Sequence, residues 1–144
     1  MTAIAALSAA TFVNTFRASR SYGSWALGEA PQPDYCNAAC AFLTTLTPEI
    51  LLAELRALEL RMGRAPSRER WASRRIDLDL LCHGDERRDS PELQLPHRGI
   101  AQRNFVLYPL AELAPDLMVP GVGRVSALMR AASNAGIWLM DHVE

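Results

Sequence analysis

Arg70-Trp71-Ala72-Ser73-Arg74-Arg75-Ile76-Asp77-Leu78-Asp79-Leu80-Leu81 runs from a basic loop into an alternating segment. Ile76, Leu78 and Leu80 fall on one side of an extended chain, Asp77 and Asp79 on the other. That alternation predicts a half-buried strand over residues 75–82. Side chains two apart on a strand share a face, so the two carboxylates lie side by side. They repel unless a proton or a cation neutralises them. Mg²⁺ takes oxygen ligands of this kind and completes its shell with water and phosphate oxygens. Arg64, Arg68, Arg70, Arg74 and Arg75 crowd the sequence around the start of this segment, and guanidinium forks suit phosphate. Paired carboxylates beside clustered arginines point to chemistry on a magnesium-bound nucleotide. The plain alternative is a solvated loop followed by the solvated face of an amphipathic strand.

Upstream, Thr47 is placed to cap a helix, with Pro48 at its first position and Glu49 in its first turn. Ile50, Leu51, Leu55, Leu58 and Met62 recur at helical spacing up to Gly63, which suits a C-terminal stop. Residues 11–22 and 35–46 read as two strands around a loop marked by Gly23, Gly28, Pro31 and Pro33. Residues 1–10 are alanine-rich and read as a short helix. Downstream, 83–94 reads as a turn or small hairpin and 98–103 as one helical turn. A helix over 104–114 is stopped by Pro115, a last helix covers 125–132, and 136–143 is a terminal strand. Two strands, a helix and another strand in that order predict an α+β sandwich. A chain of 144 residues is enough for one domain, 1–144, with a core of its own.

The chain is 49% hydrophobic and 22% charged, and its net charge of −1 gives no overall attraction to nucleic acid. The basic charge is local, as suits a small anionic ligand. There is no lysine, which excludes a lysine-bearing P-loop, a kinase-type catalytic lysine and Schiff-base chemistry. Cys36, Cys40 and Cys82 are odd in number and irregularly spaced, which argues against a disulfide framework. By parity Cys36 and Cys40 share one strand face, but no second ligand pair suggests zinc. No apolar run reaches the ~18 residues of a membrane helix, and the start lacks the basic region of a signal peptide. A cytoplasmic protein is expected, without membrane or nucleic-acid partners.

Arg-Trp-x-x-Arg-x-Ile-Asp-Leu-Asp-Leu-Leu resembles the signature of the 6-hydroxymethyl-7,8-dihydropterin pyrophosphokinases of folate biosynthesis. Leu95-Pro96-His97, Arg103, Phe105-Val106-Leu107 and the Pro109–Pro115 stretch resemble the same family in the same order. So does Gln32-Pro33-Asp34-Tyr35-Cys36-Asn37-Ala38 upstream. The resemblance covers about residues 19–120. It implies a ferredoxin-like α/β sandwich, with helices packed on an antiparallel sheet and long loops at the active site. It also implies transfer of diphosphate from ATP to 6-hydroxymethyl-7,8-dihydropterin, leaving AMP. A non-catalytic relative that binds nucleotide or pterin is the alternative.

Carried over residue by residue, the resemblance makes Asp77 and Asp79 ligands of two Mg²⁺ ions. It makes Arg64, Arg70 and Arg74 phosphate clamps on a loop that orders over ATP, with Arg64 and Arg74 serving catalysis. His97 and Arg103 would reach the triphosphate, and Glu59 would approach the nucleotide. Tyr35 and Phe105 would sandwich the pterin, Asn37 would pair with its pyrimidinone edge, and the backbone around Ser24, Ala26 and Leu27 would complete that edge. Read without the family, Tyr35 and Phe105 suit a core, His97 a turn, Trp71 a packing anchor, Arg56 and Arg61 an exposed helix face, and Arg87 and Arg88 a solvated turn.

The family begins with a strand and a Gly-Ser-Asn loop ahead of its first helix, and residues 1–10 correspond to that helix. An N-terminally shortened sandwich is therefore expected, through an upstream start, a shortened relative, or residues 136–143 entering the sheet. A monomer is expected, with an exposed sheet edge as the route to a dimer. Ala72-Ser73 stand where the family has Gly-Pro, and Ser24-Trp25-Ala26-Leu27-Gly28 where it has Thr-x-Pro-Leu-Gly.

Overall fold

The computed structural model describes residues 3–24, 35–63, 77–134 and 137–139, and of Ser24, Tyr35 and Trp138 only the backbone. In chain order the elements are α1 (Ala3–Ser8), β1 (Asn14–Ala18), β2 (Tyr22–Ser24), β3 (Tyr35–Asn37), β4 (Cys40–Leu43) and α2 (Pro48–Arg61). There follow β5 (Arg88–Asp89), β6 (Gln94–Leu95), a 3₁₀ turn (Ile100–Gln102), α3 (Asn104–Leu113), β7 (Met118–Val119), β8 (Gly123–Arg124), α4 (Val125–Ala131) and β9 (Ile137–Leu139). The strands form four small sheets: β1-β4, β3-β2-β9, β5-β6 and β7-β8. Helices with small antiparallel sheets place the fold in the α+β class. The chain divides into two compact units, residues 1–16 with 42–97 and residues 17–41 with 98–144. The residues of the β1-β4 ribbon are divided between them.

The first unit is built on α2. Thr47 Oγ1 accepts from Ile50 N–H at 3.3 Å, Pro48 opens the first turn, and Gly63 takes φ +98° just past the C-cap Met62. Leu51, Leu55 and Leu58 are buried, together with Leu7, Leu93 and Leu95. Ile50, expected on that stripe, is 52% exposed; one residue from Leu51 is a rotation of about 100°, which carries it off the buried face. The residue that completes the stripe is Glu59, 1% exposed. Phe42 stacks on Phe16 and meets Phe12 edge-on, each with centroids 6.4 Å apart. Arg88 bridges Glu49 and Glu86, so it is not the freely solvated residue expected of a turn.

The second unit packs α3 against α4, β2 and β3. Ile100, Leu107, Leu110, Val119 and Val125 form its core with Tyr22 and Ala39. The long strands expected over 11–22 and 35–46 are each broken, at Ser19–Ser21 and at Ala38–Ala39. At the break Ser19 N–H donates to Ala39 O at 2.8 Å, and Ser19 Oγ accepts from Ala39 N–H at 2.9 Å. A hydroxyl thus supplies a bond that a regular ladder would have made. The break also separates Cys36 and Cys40. Cys36 is exposed and Cys40 partly buried, so strand parity does not relate them, and all three cysteines are free thiols. Beyond the break β2 pairs with β3 as Tyr22↔Asn37, Gly23↔Cys36 and Ser24↔Tyr35. On its other side β2 pairs with β9 as Tyr22↔Leu139, Gly23↔Trp138 and Ser24↔Ile137. Residues 137–139 thus enter a sheet, at the strand β2 that ends at Ser24.

The Asp-x-Asp segment departs most from expectation. Residues 77–83 belong to no strand. The physical reason lies in where the backbone groups go: Leu78 is bonded by side chains of α2, and Leu81 O accepts from His97 N–H at 2.9 Å. The alternation nevertheless survives, with Asp77 and Asp79 exposed and Leu78 and Leu80 half-buried.

Candidate functional site

The described candidate residues fall into two sets. Asp77, Asp79, Glu59 and His97 belong to the first unit; Ser24, Tyr35, Asn37, Arg103 and Phe105 belong to the second. Arg64, Arg70, Arg74, Ala26 and Leu27 lie outside the described residues, as does the arginine loop as a whole.

In the first set, Glu59 Oε2 accepts from Leu78 N–H at 2.6 Å and from Arg56 Nη1 at 3.0 Å. Arg56 Nη1 also donates to Leu78 O at 2.8 Å. Both backbone groups of the residue between the aspartates are therefore held by one turn of α2. Leu78 is half-buried, and Asp77 and Asp79 on either side of it in sequence are exposed. The His97 backbone bond to Leu81 O joins the residues after the 94–95 strand to the same segment. Among the described residues no three His, Cys, Asp or Glu side chains converge as a metal cage. Two exposed carboxylates fit Mg²⁺, which commonly takes one or two protein carboxylates and fills its shell with water and substrate phosphates.

In the second set, Asn37 stands opposite Tyr22 and Tyr35 opposite Ser24 in the β2-β3 pair. Glu112 of α3 secures this sheet. Its carboxylate accepts from Tyr22 Oη at 2.7 Å, Arg20 N–H at 3.0 Å and Arg20 Nε at 3.3 Å. Burial raises the Tyr22 phenol above its ordinary value, and the neighbouring carboxylate adds to the rise. Partial burial pushes Glu112 up, but the bonds from Tyr22 and Arg20 outweigh it and hold the carboxyl below the ordinary range. Arg17 Nη1 donates to Leu113 O at 3.1 Å, placing a cation at the α3 C-terminus. At the other end of α3 the Arg103 guanidinium lies 5.8 Å from the Phe105 ring centroid. It also covers Gly99, where a Cβ would come within 2.7 Å of Arg103 Nε, so residue 99 has room for glycine alone unless the arginine moves. Asn104 Nδ2 donates to Ser133 O at 2.8 Å. Arg103, Asn104 and Phe105 line an open cleft of about 450 Å³ with Ala131, Ala132 and Ser133.

A family model described as 7,8-dihydro-6-hydroxymethylpterin-pyrophosphokinase (HPPK) matches residues 1–115. The chain belongs to this family. It is 44% identical over 116 residues to a 2-amino-4-hydroxy-6-hydroxymethyldihydropteridine pyrophosphokinase of Pseudomonas aeruginosa, covering 81% of this chain and 71% of that one. Proteins of the same name from Synechocystis and Haemophilus influenzae are each 38% identical, over 137 and 128 residues. These cover 94% and 89% of this chain, and 69% and 79% of theirs. Against the residues an HPPK chain is expected to use, Asp77, Asp79, His97, Asn37, Arg103 and Phe105 are all present and described.

Glu59, expected to approach the nucleotide, is buried and bonded to the Leu78 N–H between the two aspartates. Sequence reasoning assigns no structural role to Arg56 or Glu112. Arg56 reads as an exposed helix residue, and its side chain is indeed 47% exposed. The available signal was Glu59 itself. It stands four residues after Leu55 and next to Leu58, on the stripe that had to be buried. A carboxylate there needs polar partners. Nothing local distinguishes Glu112, because its partners lie some 90 residues away.

Proposed function

We propose that this chain transfers diphosphate from ATP to 6-hydroxymethyl-7,8-dihydropterin, giving AMP and the pterin diphosphate of folate biosynthesis. The observation that carries this reading is the Asp77–Leu78–Asp79 segment, pinned through Leu78 with both carboxylates exposed, in a chain of the HPPK family. Asp77 and Asp79 hold Mg²⁺, two ions in the full reading. When bound there, Mg²⁺ supplies charge neutralisation for the triphosphate and the attacking oxygen. His97 and the arginines Arg64, Arg70, Arg74 and Arg103 bind phosphate, with Arg64 and Arg74 closest to the transfer. Phe105 and Tyr35 take the pterin faces, Asn37 offers a donor and an acceptor to its amide-like edge, and the backbone at Ser24, Ala26 and Leu27 completes that edge. Positioning of this kind accounts for most of the rate in phosphoryl-type transfer. The reading takes 1–144 as one such domain, acting as a cytoplasmic monomer. Among the described residues no helix is long and apolar enough to cross a membrane.

Nucleotide products distinguish this reaction from ordinary phosphoryl transfer. Purified protein with Mg²⁺-ATP should form AMP, and only when the hydroxymethyl-dihydropterin is supplied. Formation of ADP, or ATP breakdown indifferent to the pterin, would refute the reading.

A further inference from the structure

We propose that Arg56 and Glu59 are positioning residues for the metal-binding aspartates, standing in for a neighbouring strand. This inference rests on the reading of Asp77 and Asp79 as Mg²⁺ ligands. In a regular ladder a residue gives its N–H and C=O to one partner strand, and that exchange fixes which way its neighbours face. Leu78 makes the same exchange with side chains. Its N–H goes to Glu59 Oε2 at 2.6 Å and its carbonyl accepts from Arg56 Nη1 at 2.8 Å. The two side chains sit three residues apart on one helix face and are bonded to each other at 3.0 Å. The clip is therefore a closed triangle on a rigid support.

Its chemistry explains a carboxylate on the buried stripe of α2. An isolated buried charge is costly, and Glu59 is only 1% exposed. A main-chain amide and a guanidinium bond it, and each of these also bears on Leu78. Rotation of the chain about its own axis at Leu78 would move Asp77 and Asp79 together, away from a shared ligand. The clip opposes that rotation through the Leu78 backbone, so Arg56 and Glu59 act through the aspartates and not on the substrate.

The test compares Arg56→Leu, Arg56→Gln and Glu59→Leu with the unaltered chain. Arg56→Leu keeps the apolar stem and removes the donor; Arg56→Gln keeps an amide donor. Arg56 is the more informative site because its half-exposed side chain can be changed without emptying the core. Three quantities are read: exchange of the Leu78 amide in the ligand-free protein, the Mg²⁺ concentration for half-maximal binding of α,β-methylene-ATP, and kcat against the pterin KM. Removing the partners of metal-binding groups typically weakens metal affinity about 10–100-fold. Arg56→Leu should raise the Mg²⁺ midpoint about tenfold or more and lower kcat similarly, with the pterin KM within twofold. Arg56→Gln should recover part of both, and Glu59→Leu should unprotect the Leu78 amide. An Arg56→Leu protein that is folded and keeps the wild-type Mg²⁺ midpoint overturns the proposal, as does a Glu59→Leu protein with Leu78 still protected. If the unaltered chain makes no pterin-dependent AMP, the functional reading fails by itself; the amide exchange and the Mg²⁺ midpoint still decide the clip.

Discussion

Replacing Glu112 with alanine should loosen the second unit at the sheet expected to carry the pterin. The Tyr22 hydroxyl loses its 2.7 Å acceptor while the residue stays 9% exposed. An unsatisfied buried polar group costs about 1–2 kcal/mol, and the exposed Arg20 backbone bond adds roughly 0.5 kcal/mol. The Arg20 side chain is 63% exposed, so solvent screens its ion pair and it adds little. Together these give about 2 kcal/mol, or a fall in Tm of about 5–8 °C for a chain of this size. Urea denaturation at pH 7 should show a lower midpoint with an unchanged slope. Glu112→Gln, which still accepts from Tyr22, should lose less than about 1 kcal/mol. In a cycle with Tyr22→Phe, the pair should couple by about 1 kcal/mol. The folded Glu112 carboxyl titrates below its ordinary value of 4.5, so its contribution is complete above that pH and is lost as pH falls through the folded value. Glu112→Gln should accordingly flatten the acid limb of the stability curve. Because Tyr22 lies opposite Asn37, the pterin KM should rise before the ATP KM does. A Glu112→Ala protein within about 0.5 kcal/mol of wild type, or strictly additive cycle energies, would refute the reasoning.

Thr47→Ala removes the cap of α2 and should cost about 1 kcal/mol in urea denaturation. Thr15 holds φ +52°, a conformation unfavourable for a β-branched residue, so Thr15→Gly or Thr15→Asn should raise stability by about 0.5–1 kcal/mol. A loss of stability in both would show that Thr15 is not strained. Arg88→Ala removes the bridge between Glu49 and Glu86. Arg88 now holds the Glu49 carboxyl below its ordinary value, so Glu49 should titrate higher in the variant, readable by NMR.

Much of this was legible in the sequence because it is local. The Thr47-Pro48-Glu49 start and Gly63 stop of α2 follow from backbone donors and a positive φ, and they need no distant partner. The exposure of Asp77 and Asp79 survives for a similar reason: Leu78 and Leu80 are half-buried whether or not a strand forms. What was not legible depends on pairing. Alternation predicted a strand at 75–82, but a strand also needs a neighbour, and the Leu78 backbone found Arg56 and Glu59 instead. The breaks at Ser19 and Ala39 arise from one hydroxyl competing with the ladder, which apolar periodicity does not register. The β7-β8 hairpin went unnoticed because two-residue strands are too short to show a period. Of the candidate site residues, Asn37 and Phe105 rest on the resemblance, whereas the bonds of Arg56 are visible only with α2 and the Asp-x-Asp segment together.

Asp77 and Asp79 are proposed to carry a metal-dependent diphosphate transfer to the pterin. The most direct test is the single-turnover rate of pterin-dependent AMP formation in Asp77→Asn and Asp79→Asn, each checked for native thermal unfolding. Removing a metal ligand that neutralises phosphate charge is worth several kcal/mol, so each rate should fall about a thousandfold or more while the protein stays folded. Folded variants that turn over within tenfold of the unaltered chain would contradict the account.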